Sequence, residues 1–119
     1  YYYPRSGQAA PVAMAEVIWT EPALSDLEAI ADYIALDNPA AARALVQRVF
    51  EHVGQLADHP LSGPKLPEFK GWRYRQIVES PCRAIYRHEK GRVHILHVVR
   101  GERLLDQALL STRSRSTDP

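Results

Sequence analysis

Seven arginines fall between Arg73 and Arg103, in RYRQIVESPCRAIYRHEKGRVHILHVVRGER. Arg73, Arg75, Arg83, Arg87, Arg92, Arg100 and Arg103 are threaded between Val, Ile and Tyr, residues that favour strands. Guanidinium groups at this density suit an anionic partner, either a phosphate backbone or an acidic protein surface. Arg87 and Arg92 flank a turn and read as solvated charge. Groups that would move a proton or hold a metal are scarce. His94 and His97 are three apart on a strand, which by simple alternation sends them to opposite faces and keeps them from sharing a metal. His88 falls at a turn, and His52 and His59 belong to a helix and its end. Cys82 has no activating neighbour in sequence and reads as a buried thiol. There is no Gly-rich phosphate loop, CxxC pair or acidic metal cluster. The residues therefore point to binding, with no catalytic set, no metal and no cofactor expected.

The formal charge of +1 conceals a division along the chain. From Met14 to Pro64, two Lys/Arg stand against eight acids, a net of −6; from Lys65 to Arg103, ten stand against four, a net of +6. A length of 119 residues, 45 % of them hydrophobic, suits one compact domain. The single cysteine rules out an internal disulfide framework and fits a reducing cytoplasm. No apolar run approaches the roughly 20 residues that span a bilayer. Residues 1–13, YYYPRSGQAAPVA, lack periodicity and precede a methionine; they read as an added or upstream extension.

Glu16 to Thr20, EVIWT, reads as a short strand ended by Glu21-Pro22. Thr20 is placed to cap the following helix, with Pro22 in its first turn. Leu24, Leu27, Ala31 and Ile34 recur at helical spacing, and Ile30 and Tyr33 widen that stripe. Asn38-Pro39 is a break and restart. The second helix carries Ala42, Leu45, Val46, Val49, Val53 and Leu56 on one face, with Phe50 beside it, and ends near Asp58, before Pro60. So short a connection makes the helices an antiparallel hairpin. His59 to Trp72 is a Pro/Gly-rich surface loop. Strands follow at about Tyr74–Val78, Cys82–His88 and Val93–Val99, joined by Ser80-Pro81 and Glu89-Lys90-Gly91 as an antiparallel meander. In the middle strand Arg83, Ile85 and Arg87 share one face, expected to be partly open; Cys82, Ala84 and Tyr86 share the other. LLDQALL suits one or two helical turns, and residues 111–119 read as a flexible tail. The order is β-α-α-β-β-β, a two-layer α+β domain over residues 14–110 with a helical hairpin on one face of an antiparallel sheet.

From about Val17 to Arg103 the chain resembles the ParE/RelE superfamily of type II toxin–antitoxin toxins. The likeness rests on Trp19-Thr20, Ala23, Asp26-Leu27, Ile30 and Tyr33-Ile34; on the Asn38-Pro39 break; on Leu56, Pro60, Gly63 and Pro67-Glu68; and on Arg73, Arg83 and Tyr86. Cys82 stands where the family commonly has Tyr, and Arg100 stands for the histidine of its H-G-x-R ending. The resemblance implies a toxin held by a cognate antitoxin in a hetero-oligomer. RelE-like members cut messenger RNA on the ribosome, whereas ParE-like members inhibit DNA gyrase and so block replication. RNA cleavage needs a base, an acid and clustered cations. RelE-like enzymes supply lysines in the loop before the sheet, or a Glu/His pair, together with an aromatic near the C-terminus. Lys65 and Lys70 could loosely stand in for such lysines, but no Tyr, Phe or Trp follows Tyr86. The reading preferred on sequence is a ParE-like inhibitor of gyrase acting by stoichiometric binding, paired with a ParD-like antitoxin. Arg73, Arg75, Arg83, Arg100 and Arg103 are the expected target contacts, and Leu104, Leu105, Leu109 and Leu110 the expected antitoxin contacts. A RelE-class endonuclease is the alternative, and direct nucleic-acid binding is left open.

Overall fold

A computed structural model of the chain describes residues 14–66, 73–101 and 113–114. In chain order it holds strand β1 (Glu16–Trp19), helix α1 (Glu21–Ala35), helix α2 (Pro39–Gly54) with a 3-10 turn at Gln55–Ala57, and strands β2 (Tyr74–Glu79), β3 (Cys82–Glu89) and β4 (Arg92–Arg100). Both helices begin where their sequences dictate. The Thr20 side chain accepts from the Ala23 amide at 3.4 Å, and the Asn38 side chain accepts from Ala41 at 3.0 Å, each with a proline in the first turn. The β3–β4 turn is made by Lys90 (φ 54°) and Gly91 (φ 75°). Two successive positive φ values are what a two-residue hairpin with native twist demands.

The sheet order is β1-β4-β3-β2. β2, β3 and β4 form the expected antiparallel meander, but β1 pairs parallel to β4, from Glu16↔Arg92 to Trp19↔Ile95. The sheet is therefore mixed, because the hairpin carries the chain across one face and the meander brings β4 back beside β1. The main core lies between this sheet and the helices. It joins Val17, Trp19, Leu27, Leu45, Val49, Val53 and Leu56 to Ala84, Tyr86, Val93 and Ile95. Trp19 is buried with its ring 4.8 Å from that of Phe50. The seam between α2 and the sheet is lined by Val49, Val53, Ile77, Glu79, Cys82, Ala84 and Val98.

Three expectations are corrected. Tyr33 does not join the apolar stripe; it is 61 % exposed. The other sheet face is only partly open, as expected, but more covered than its arginines suggest. A second cluster of Leu66, Tyr74, Ile85 and Leu96 is buried there, Val78 opposite Arg83 stays 58 % exposed, and Arg87, expected in solvent, is 1 % exposed. Finally, β4 carries a bulge. Tyr86 pairs with Ile95 and Ile85 with His97, which leaves Leu96 as the extra residue. His94 and His97 thus oppose Arg87 and Ile85, positions of the same parity, and the opposite-face argument fails.

Candidate functional site

Four of the five arginines expected to contact a target lie in the described residues, and they do not converge. Arg73, at the start of β2, forms a surface ion pair with Glu89 at 3.3 Å. With both side chains well solvated, such a pair contributes at most about 1 kcal/mol, so Arg73 stays available to a partner. Arg75 turns onto the preceding loop and donates to the Gly63 carbonyl at 2.8 Å and the Leu61 carbonyl at 3.3 Å. Arg83 is buried and donates to the Gln76 side-chain oxygen at 3.1 Å. Arg100, at the end of β4, is exposed and lies 5.2 Å from the centre of the Tyr33 ring, a cation–π pair presenting an aromatic and a cation together. Arg103, Lys70 and the expected antitoxin contacts Leu104, Leu105, Leu109 and Leu110 lie outside the described residues.

Arg73 and Arg100 mark opposite ends of the sheet. Arg73 stands by Glu89, whereas Arg100 pairs in register with Cys82 at the other end of β3. At about 3.3 Å per residue, the length of β3 separates them by roughly 20 Å. Cys82 is buried, and that burial pushes its thiol above the ordinary value against the pull of Arg100 and Arg48.

Sequence reading missed what the loop motif does. The Tyr86 ring packs in the core, while its hydroxyl donates to the Pro60 carbonyl at 2.8 Å and accepts from the Gly63 amide at 3.1 Å. Burial raises the Tyr86 phenol, opposed by the Gly63 amide and by Arg75, so at neutral pH it is a stable donor. The Gln76 amide adds a 3.0 Å bond to Pro64, and Leu66 bonds to Tyr74. Pro60 and Gly63 of the loop pattern and Tyr86 of the strand pattern therefore meet in space; that coincidence of motifs was the available signal.

A second cluster was also missed. Beyond Trp19, β1 no longer covers β4, and α1 takes over its edge. Thr20 donates to the Ile95 carbonyl from both its amide and its hydroxyl, and Asp26 accepts from the Val98 amide at 3.1 Å. The same carboxylate oxygen lies 2.9 Å from His97 Nδ1 and 2.7 Å from Arg113. Burial alone would raise the Asp26 carboxyl. Hydrogen bonds from His97, Arg113 and Val98, with the charge of His97, outweigh it and hold the group below its ordinary value. A depressed folded-state value gives a stabilisation complete above the unfolded value of about 3.9 and lost as pH falls through the lower folded value. Urea midpoints of the wild type should therefore drop below about pH 4 by more than those of Asp26→Asn, and parallel curves would refute that linkage.

Among the described residues no cluster of His, Cys, Asp or Glu could hold a metal, and no helix is long and apolar enough to cross a membrane.

Two helices on a four-stranded mixed sheet, in the order β-α-α-β-β-β, are the architecture of ParE/RelE-like toxins of the type II toxin–antitoxin class. Residues 17–105 match the model for the ParE toxin of the type II system parDE, and the chain belongs to that family. It is 36 % identical over 92 residues to Toxin RelE2 of Caulobacter vibrioides, covering 76 % of this chain and 100 % of that one. A solved chain of the chromosomal ParDE system from P. aeruginosa is similar at 30 % identity with a TM-score of 0.64, covering 76 % of this chain and 99 % of its own. A chain of the RelBE2 toxin–antitoxin complex from Mycobacterium tuberculosis shows 24 % identity and a TM-score of 0.48 over 73 % of this chain and 96 % of its own.

Proposed function

We propose that this toxin acts in the cytoplasm by binding DNA gyrase and blocking replication, and that a ParD-like antitoxin neutralises it. The observation that supports this reading is the separation of the two exposed candidate arginines among the described residues. Arg73 and Arg100 sit at opposite ends of the sheet, while Arg75 and Arg83 are directed to internal acceptors. A phosphorane formed during RNA cleavage needs its cations on one phosphate. Cations spread over a sheet suit contact with a broad protein surface. The match to the ParE model and the likeness to the P. aeruginosa ParDE chain support the same choice. The docking surface combines Arg73, Arg100 over Tyr33, and Arg103, with Arg75 and Arg83 shaping the strands behind them. Leu104, Leu105, Leu109 and Leu110 are the proposed antitoxin contacts.

The name of the 36 % identical relative, Toxin RelE2, favours a second reading, a ribosome-dependent messenger RNA endonuclease. Two assays separate the readings. Purified protein should inhibit gyrase supercoiling in proportion to its amount, and induced cells should filament with a DNA-damage response. Arg100→Ala combined with Arg103→Ala should weaken inhibition by roughly tenfold or more, as for central interface residues. Unchanged inhibition by the double variant would remove these arginines from the interface. Cut messages with gyrase untouched would favour the endonuclease.

A further inference from the structure

Arg113 and Ser114 lie beyond the family match, which ends at residue 105. The stretch was expected to be a flexible tail, yet these two residues are held against the domain. Arg113 Nη1 donates to Asp26 Oδ2 at 2.7 Å and to the Leu96 carbonyl at 3.1 Å, and contacts His97 Nδ1. Ser114 is 1 % exposed, and its carbonyl accepts from Arg87 Nη1 at 3.1 Å, with its hydroxyl alongside. Two successive residues thus bridge α1, β4 and β3.

From this geometry we infer that Arg113 and Ser114 form an intramolecular latch, with Arg113 seated in a guanidinium socket formed by the Asp26 carboxylate, the Leu96 carbonyl and His97. The position of the socket follows from the topology. β1 ends in register with Ile95, so β4 meets α1 without a neighbouring strand at Leu96–Val98. Thr20 satisfies the Ile95 carbonyl, Asp26 the Val98 amide and Arg113 the Leu96 carbonyl. Arg113 completes the cover of an edge that would otherwise offer backbone groups to another chain. The bulge at Leu96 locally disrupts the ladder where the Arg113 guanidinium bonds that residue's carbonyl. Planar, permanently charged and able to donate to several acceptors at once, a guanidinium fits this combination of carboxylate and carbonyl, which a single ammonium fits poorly.

The test uses the full chain with Arg113→Ala, which leaves the Asp26–Val98 bond in place. Amide hydrogen exchange read by mass spectrometry should show the peptide containing residue 114 exchanging roughly tenfold faster or more, the effect expected when charge-assisted bonds are lost. Arg113→Lys should recover only part of the protection. Millimolar methylguanidinium should raise the melting temperature of Arg113→Ala, by refilling the socket, and should leave unmoved that of the wild type and of Asp26→Asn with Arg113→Ala. Wild-type exchange in Arg113→Ala would overturn the latch. Equal responses to methylguanidinium in all three proteins would overturn the socket.

Discussion

Gly63→Ala is expected to destabilise the fold by about 2–4 kcal/mol, lowering the melting temperature of a domain this size by roughly 10 °C or more. A methyl group on Gly63 would lie 2.4 Å from the Gln76 carbonyl oxygen, 2.8 Å from the Tyr86 hydroxyl and 2.9 Å from Tyr86 Cε1. One of those neighbours is backbone and another is a buried ring, so neither yields cheaply. Moving the loop outward would break the Gly63–Tyr86 and Pro60–Tyr86 bonds and displace the two carbonyls that hold Arg75. Gly101→Ala is the internal control: its added carbon meets the Pro81 carbonyl at an ordinary 3.7 Å, and stability should change little. Thermal unfolding by circular dichroism decides the matter, and equal melting temperatures for the two variants would show that the loop is not clamped as described.

Arg87→Ala should cost about 2–4 kcal/mol, a core-sized loss from a residue that sequence alone assigns to solvent. Its side chain is 2 % exposed, lies 3.8 Å from Glu89 and donates to the Ser114 carbonyl. Truncation removes the stem from the packed outer face and breaks the hydrogen bond to the Ser114 carbonyl. Arg87→Met, which keeps the volume, should recover much of the loss, because Glu89 is partly exposed and can be solvated. Urea midpoints of the two variants measure the difference. A neutral Arg87→Ala would mean that the residue is solvated after all, and an Arg87→Met as damaging as Arg87→Ala would mean that charge outweighs packing.

These two sites show where local reading stops. Arg87 flanks a turn in sequence, a position that normally implies solvent. Its burial depends on residues on another strand or remote in sequence: Tyr74 of β2 stands opposite it, and Ser114 accepts its hydrogen bond. Tyr33 fails in the opposite direction. Its spacing matches the α1 stripe, but it falls at the margin of the sheet, where Arg100 rather than the core meets its ring. His97 was misplaced because alternation along a strand holds only without a bulge, and the bulge at Leu96 is a property of pairing with β3. Among the target-binding candidates, Arg73 and Arg100 face outward as a docking role requires. Arg75 and Arg83 are engaged by Gly63, Leu61 and Gln76, partners whose approach no strand pattern encodes.

By itself, the sequence determined the elements and their order. Thr20 and Asn38 with their prolines start the helices, apolar spacing aims α1 and α2 inward, and Lys90-Gly91 closes the last hairpin. Each of these depends on interactions within a few residues. The same local features, in the same order, carried the family resemblance. Tertiary structure alone decided that β1 runs parallel to β4, that Tyr86 locks the loop at Pro60 and Gly63, and that Arg87 is buried. It alone brought Asp26, Leu96, His97 and Arg113 into one socket. Those outcomes join residues separated by as many as 87 positions. Contacts at that range exist only once the hairpin has packed on the sheet, since loop closure opposes them until many form together.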